Sequence, residues 1–327
     1  MCTSITYQMT DGTNFLARTM DFGFELEGLP TIFPRNYAFS LDLGGEMTNR
    51  YGYVGTGRKL DKYIFADGMN ECGLAIAELY FPHEAKYEEK KAADKINLAP
   101  HELISWVLGE IGSVSELKER INEVNLVRVE NSLLEIVLPL HYIVTDSSGE
   151  TVVIEPQGGP LIVKNNPVNV MTNSPELEWH VKNMNNYLGI QPQNFNRKQY
   201  GSHTVFPFGQ GSGTFGLPGG YTSPERFIRA TYLREYSRKS STISEAILTI
   251  LHILGNVTIP QGVNIKEDQS DDYTQYTAIF NTKDKTYYFQ PQETNALLSV
   301  ELKEDYLTQS EPQAFAYGKG LRVEALG

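Results

Sequence analysis

The chain has 327 residues, 40% hydrophobic and 21% charged, the balance of a globular protein with a sizeable core. Its net charge of −12 argues against a nucleic-acid partner or an anionic membrane surface, since both select a basic face. No apolar run approaches the ~20 residues of a transmembrane helix, and the N-terminus MCTSITYQMTDG has neither the basic nor the apolar region of a secretory signal.

Along the chain, CTSITYQ and NFLARTMDF read as strands joined by a turn at Asp11-Gly12. YGYVGTG and KYIFADG continue in the same style. A helix is predicted over Leu98 to Leu108, and Ser113 with Glu116 forms a capping-box signature before ELKERINEV. Strand signals resume at PLHYIVTD and TVVIEP, around a Ser147-Ser148-Gly149 turn, and at GPLIVKNN. Asn183 to Gly220 is loop-rich and nearly aperiodic. Helices follow at Pro224–Tyr236 and around Thr242–Leu254, the second with a capping box of Thr242 and Glu245. TQYTAIFN, KTYYFQP and ALLSVEL return to strands. This order lacks the strict alternation of a parallel sheet and predicts antiparallel sheets with helices on their outer faces. No linker or repeat divides the chain, which reads as one domain over 1–327.

Two cysteines, Cys2 and Cys72, make no disulfide framework, so the chain reads as reduced and cytoplasmic. The six histidines show no metal-ligand spacing, and no zinc or other cofactor is expected. Gly211-x-Gly213-x-x-Gly216 runs into Leu217-Pro218-Gly219-Gly220, which cannot open a helix, so it is a loop and not a dinucleotide fingerprint. There is no G-x-S-x-G elbow. His141 and His180 are candidate bases, but their apolar neighbours favour core or supporting roles.

Cys2 stands directly behind the initiator methionine. Removal of Met1 is expected for so small a second residue, and it would put a thiol and a free α-amine, nucleophile and base, on one residue. Arg18 and Asp21 sit in the otherwise apolar LARTMDF, where opposite charges need partners or water. They form either a surface pair at a strand end or the electrostatic support of Cys2, with Arg18 favouring the thiolate and Asp21 orienting the amine. A hairpin turned at Asp11-Gly12 would bring Arg18 close to Cys2. Ser223 and Pro224 read as N-cap and first helical residue, which sets Arg226 against the helix dipole and suggests a task elsewhere.

MCTS at the start, ARTMDF, ADGMNECGL at 66–74, AELYFP at 77–82, VMTNSPELEWH at 170–180, FGQGSGTFGLPGGYTSPERFIR at 208–229 and TQYTAIF at 274–280 resemble, in order and spacing, the choloylglycine hydrolase family. These N-terminal-nucleophile amidases include bile salt hydrolases and penicillin V acylases. The resemblance implies an α+β fold, a four-layer αββα sandwich with two antiparallel sheets. It implies Cys2 as nucleophile, Arg18 and Arg226 as its positive neighbours, and Asp21 holding the N-terminal amine. The oxyanion donors would be the Asn173 side chain and the Tyr80 backbone N–H, with Met20, Tyr80 and Leu140 lining the pocket. The Asn183–Gly220 stretch resembles the assembly loop of tetrameric members, with Tyr187, Phe195, Tyr200, Phe206 and Phe208 costly to expose on a monomer. The family's usual GDYTP is replaced here by Gly219-Gly220-Tyr221-Thr222-Ser223. Bile salt hydrolases usually carry Asn where this chain has Tyr80. The expectation is therefore a penicillin V acylase-type amidase, with a conjugated bile salt hydrolase as the alternative. A chain that kept Met1 would instead be a silent binder of acyl amides.

Overall fold

The computed structural model describes residues 1–60, 62–131 and 134–327. Cys2–Gln8 and Asn14–Phe22 form the expected hairpin, paired antiparallel from Cys2 opposite Met20 to Gln8 opposite Asn14. Gly12 supplies the positive φ of 87° at the turn, where Asp11 Oδ1 accepts the Thr13 N–H at 2.9 Å.

Among the described residues, two large antiparallel sheets dominate. The first is six-stranded, in the order Val170–Met171, Cys2–Gln8, Asn14–Phe22, Tyr273–Asn281, Thr286–Pro291 and Leu298–Glu301. The second is eight-stranded, running Val163–Asn165, Thr151–Ile154, Leu140–Thr145, Ala75–Tyr80, Tyr63–Asn70, Tyr53–Lys59, Leu29–Phe33 and Gln313–Ala314.

Side-chain alternation sorts the layers. Leu140, Tyr142 and Val144 face outward and pack with Leu103, Trp106 and Val107 of the helix Leu103–Glu110 and Leu117 of the helix Val114–Arg120. Ile143, between them, faces the first sheet. On the far side of that sheet, Phe227, Ala230, Ala246 and Ile250 of the helices Ser223–Tyr236 and Ile243–Gly255 close the core. Helix, sheet, sheet, helix is the four-layer αββα sandwich.

Three local expectations shift. The first predicted helix starts late: Ile96–Leu98 is a short strand, Ala99 is extended at ψ 153°, and a 3-10 turn at Pro100–Glu102 leads into Leu103. Proline disfavours helical geometry in the residue before it, so Pro100 sets this boundary. At Ser223–Tyr236 the N-cap is Thr222, because the Ser223 hydroxyl is engaged elsewhere, accepting the Asn173 N–H at 2.9 Å. In the loop-rich stretch, Lys198–Tyr200 and His203–Val205 form a small hairpin. There Phe195, Tyr200, Phe206 and Phe208 are exposed, whereas Tyr187 is half-buried against the core. The two capping serine and threonine residues hold as expected, Ser113 accepting from Glu116 N at 3.1 Å and Thr242 from Glu245 N at 3.3 Å.

The pairing of Tyr53–Lys59 with Tyr63–Asn70 breaks at Ala66: Thr56 opposes Asp67, but Gly57 opposes Phe65. This bulge reverses the side-chain alternation, so Asp67 points between the sheets while Phe65 joins the outer aromatic cluster of Phe33 and Tyr53. Beyond Asp67 and Ala77, Tyr63–Asn70 and Ala75–Tyr80 are no longer paired, and the sheet opens.

Asn70, completely buried at the other end of that strand, ties sheet to helix. Its Nδ2 donates to the carbonyls of Leu108 and Ile111 at 3.0 and 2.7 Å, and its Oδ1 accepts the N–H groups of Cys72 and Leu74 at 3.1 Å each. Asn70→Ala strands four backbone groups and should cost about 3 kcal/mol or more in urea unfolding. A loss under about 1 kcal/mol would mean that those groups find other partners.

Candidate active site

Antiparallel register brings the site together. Cys2 opposes Met20 and Ser4 opposes Arg18, so these four side chains share the face that meets the second sheet. Arg18 Nη2 donates to Cys2 Sγ at 3.0 Å, with the thiol 3% and the arginine 0% exposed. Arg18 Nη1 pairs with Asp67 Oδ2 at 3.0 Å, and the Tyr276 hydroxyl donates to the same oxygen at 2.7 Å. The guanidinium also spans the parted strands, reaching the carbonyls of Ala66 and Glu78 at 3.3 Å each. Burial alone would lower the Arg18 pKa, but Cys2, Tyr276 and Asp67 outweigh it and hold it above the ordinary value.

On the opposite face of the Cys2 strand lies Arg226, also fully buried. It donates to the Cys2 carbonyl at 2.5 Å, to Thr3 Oγ1 at 2.7 Å and to Asn173 Oδ1 at 2.6 Å. Burial lowers its pKa, opposed by Asp21 and Cys2. Asp21 lies on this face too, its carboxylate accepting from Thr274 at 2.6 Å and Thr19 at 3.2 Å. Burial raises its pKa against the pull of Arg226 and the N-terminus. With Met1 in place, the terminal ammonium meets Asp21 through its carbonyl, at 2.5 Å, and Asp272 through its carboxylate, at 3.6 Å.

Asn173 links the two sides. Its Oδ1 accepts the Cys2 N–H at 2.9 Å as well as Arg226, and its Nδ2 donates to the Tyr80 carbonyl at 2.7 Å. Two histidines fix its backbone. His180 Nε2 meets the Asn173 carbonyl at 2.9 Å, and His141 Nε2 meets the Thr172 carbonyl at 3.1 Å. Burial pushes His180 down to about 4, and it stacks on Phe227 with ring centroids 4.6 Å apart. Both imidazoles therefore support the site and neither reaches the thiol.

The backbone of Tyr80 is free of the ladder on one side. Phe81 N–H donates to Pro139 O at 2.7 Å, and Leu140 N–H goes to the Tyr87 hydroxyl at 2.7 Å. Tyr80 and Leu140 are thus a non-hydrogen-bonded pair, and the Tyr80 N–H points the same way as its carbonyl, towards Asn173. An apolar cavity opens here, running from Cys2 and Met20 past Phe22, Tyr80 and Leu140 to Leu134 and Leu138. The Phe22 and Tyr80 rings meet edge to face, 5.8 Å apart. Ala66 and Glu78, on the two parted strands, also line this cavity.

Every candidate from the sequence reaches this region. What the sequence reading missed is Asp67, Tyr276 and the bond between the Ser223 hydroxyl and the Asn173 backbone, whereas the supporting role it favoured for both histidines is what their contacts show. Asp67 carried a signal, a lone acid at the end of the KYIFADG strand. Elsewhere, Asp42, His101 and Glu102 lie close enough to share a cation, and the Lys62 ammonium contacts Asp42 and, at 3.4 Å, Glu102.

The profile of the linear amide C–N hydrolases, choloylglycine hydrolase family, matches residues 2–315. A bile salt hydrolase/transferase from Clostridium perfringens is 32% identical over 99% of both chains. One from Lactiplantibacillus plantarum is 34% identical over 95% of both. The crystal structure of the C2A variant of conjugated bile acid hydrolase from C. perfringens aligns over the full length of both chains, with a TM-score of 0.92 and 30% identity. Penicillin V acylase from Agrobacterium tumefaciens shares the fold at a TM-score of 0.72 and 22% identity, over 93% of this chain and 87% of its own.

Removing Asp67 leaves a buried guanidinium without its anion. Asp67→Ala should destabilise the protein by about 3–5 kcal/mol, with Asp67→Asn losing less. Equal melting of Asp67→Ala and wild type would show that Arg18 is neutralised by another group.

Proposed function

The chain belongs to the choloylglycine hydrolase family of linear amide C–N hydrolases, and we propose that it hydrolyses conjugated bile salts through an N-terminal cysteine. The observation that carries the chemistry is a buried thiol held by a guanidinium at 3.0 Å, in the lining of an apolar cavity. The substrate class rests on near-full-length similarity to bile salt hydrolases, while the likeness to a penicillin V acylase, at 22% identity, speaks for fold alone. This reverses the order of the two readings reached from Tyr80.

After loss of Met1, the Cys2 amine takes the thiol proton and the sulfur attacks the amide carbon. The oxyanion is met by the free Nδ2 hydrogen of Asn173 and the N–H of Tyr80. The amine departs with the proton, and water attacks the thioester to release the acid and restore the thiol. Arg18 donates a hydrogen bond to the sulfur, while Arg226 and Asp21 hold the strand that carries it. The chain would act as one domain within a homotetramer joined through the exposed aromatics of 183–220. A reducing compartment such as the cytoplasm suits its free thiol, and among the described residues no helix is long and apolar enough to cross a membrane.

A second reading retains one specific observation: the Tyr80 ring stands in the cavity beside Phe22, an aromatic wall suited to a phenoxyacetyl group. Initial rates on glycocholate or taurocholate against penicillin V decide between them, and the bile-salt reading expects the conjugates to be faster. A clear preference for penicillin V would overturn it. Tyr80→Asn keeps the backbone donor and should move the ratio towards bile salts by about 10-fold.

Cys2→Ser and Cys2→Ala should fold and lose nearly all turnover, and activity near wild type in either would refute the nucleophile. Asn173→Ala should lower kcat by about 10²–10³ with less effect on KM. A sharp rise in KM at constant kcat would make Asn173 a binding residue.

A further inference from the structure

The cavity wall contains one carboxyl that the hydrolytic chemistry does not use. Glu78 lies on the strand Ala75–Tyr80, two residues before the oxyanion donor, where the sheet has opened. It lines the cavity and is 8% exposed. Its Oε2 is buried without a hydrogen bond among the described residues. The nearby hydroxyls are already committed. Tyr87 donates to the Leu138 carbonyl at 2.8 Å and accepts from Leu140 N–H at 2.7 Å, while Tyr142 donates to the Pro100 carbonyl at 2.6 Å. Arg18 reaches the Glu78 carbonyl and spends its ion pair on Asp67.

An unpartnered carboxyl in an apolar wall costs stability, by roughly 1–3 kcal/mol on the scale of a buried unsatisfied group. A polar group kept under those terms needs a partner that arrives with the substrate. We propose that Glu78 determines acyl specificity, its carboxyl hydrogen-bonding a hydroxyl or carbonyl oxygen carried by the substrate's acyl group. Burial pushes the Glu78 carboxyl well above the ordinary carboxylate range, against the pull of Arg18. In its protonated form the carboxyl offers both an O–H donor and a carbonyl acceptor, and in its ionised form two acceptor oxygens. An acyl group with no oxygen to offer leaves that carboxyl desolvated and unpaired, and is selected against.

This inference rests on the amidase reading above but not on which conjugate is preferred. The test measures kcat/KM for wild type, Glu78→Gln and Glu78→Met on two substrate sets. One is the glycine conjugates of bile acids with one, two and three hydroxyls. The other is phenylacetyl and hydroxyphenylacetyl amides of glycine. Wild type should favour a hydroxylated member of at least one set by about 10-fold or more. Glu78→Met should bring that ratio within about twofold while cleaving the least hydroxylated member no more slowly than wild type. Glu78→Gln, still able to donate and accept, should keep the preference. Urea unfolding should find Glu78→Met at least as stable as wild type.

A wild-type ratio near one in both sets, or a ratio unchanged in Glu78→Met, would overturn the proposal. If the wild type cleaves no amide, the amidase reading fails separately. Calorimetry of the corresponding free acids on Cys2→Ala, with and without Glu78→Met, then reads the same preference as affinity. The proposal requires the hydroxylated acid to lose its advantage in the double variant.

Discussion

Two guanidinium groups are buried completely, one on each face of the strand that carries Cys2. A cation taken out of water is tolerated only where its hydrogen bonds and charge are met, and meeting them organises much of this molecule. Arg18 requires Asp67, which requires the Tyr276 hydroxyl, which fixes the strand Tyr273–Asn281 against the second sheet. Arg226 requires the Cys2 carbonyl, Thr3 and Asn173, which fixes a helix and a loop against the first. Cys2 is placed because both cations are, and the two sets of contacts hold it from opposite sides.

The halves of the site differ in how far the chain must travel to make them. The thiol–guanidinium contact joins residues 16 apart within one hairpin, whereas Asn173 and Arg226 come to Cys2 over 171 and 224 residues. The local half needs only a turn and a register. The distant half needs the whole sandwich, plus the two histidines that hold consecutive carbonyls at 172 and 173. The contacts of Asn173 therefore depend on tertiary packing, while the electrostatics around the Cys2 thiol depend mainly on one hairpin and the acid facing it.

That difference also decides what could be read from sequence. The turn at Asp11-Gly12, the caps Ser113 and Thr242, Arg18 in an apolar strand and Arg226 set against a helix dipole are local facts and were legible. Periodicity predicted antiparallel sheets with outer helices, but strand order was not recoverable from it, because alternation says which face is buried and not which strand lies beside it. Ser223 read as a cap because a serine before Pro-Glu normally is one. Its hydroxyl is taken by a backbone 50 residues away, and no local pattern reports that. The donor role proposed for Tyr80 came from resemblance alone; the non-hydrogen-bonded pairing with Leu140 that leaves its N–H outside the ladder exists only in the folded register. Glu78 escaped notice because an acid in a strand is ordinary until its neighbours are known.

The bulge at Ala66 bears on how this protein can vary. One extra residue in the strand Tyr63–Asn70 lets Asp67 face the buried guanidinium while Phe65 faces the outer aromatic cluster. Side-chain substitutions can retune the cavity's lining, but the parting of the strands at Ala66 and Glu78, spanned by the Arg18 guanidinium, is framed by main chain, and its parity is set by a count of residues. Deleting Ala66 would restore regular pairing and, in doing so, turn Phe65 towards Arg18 or Asp67 away from it. The length of this strand is thus as constrained as the identity of any side chain on it, and loops elsewhere are where insertions can accumulate.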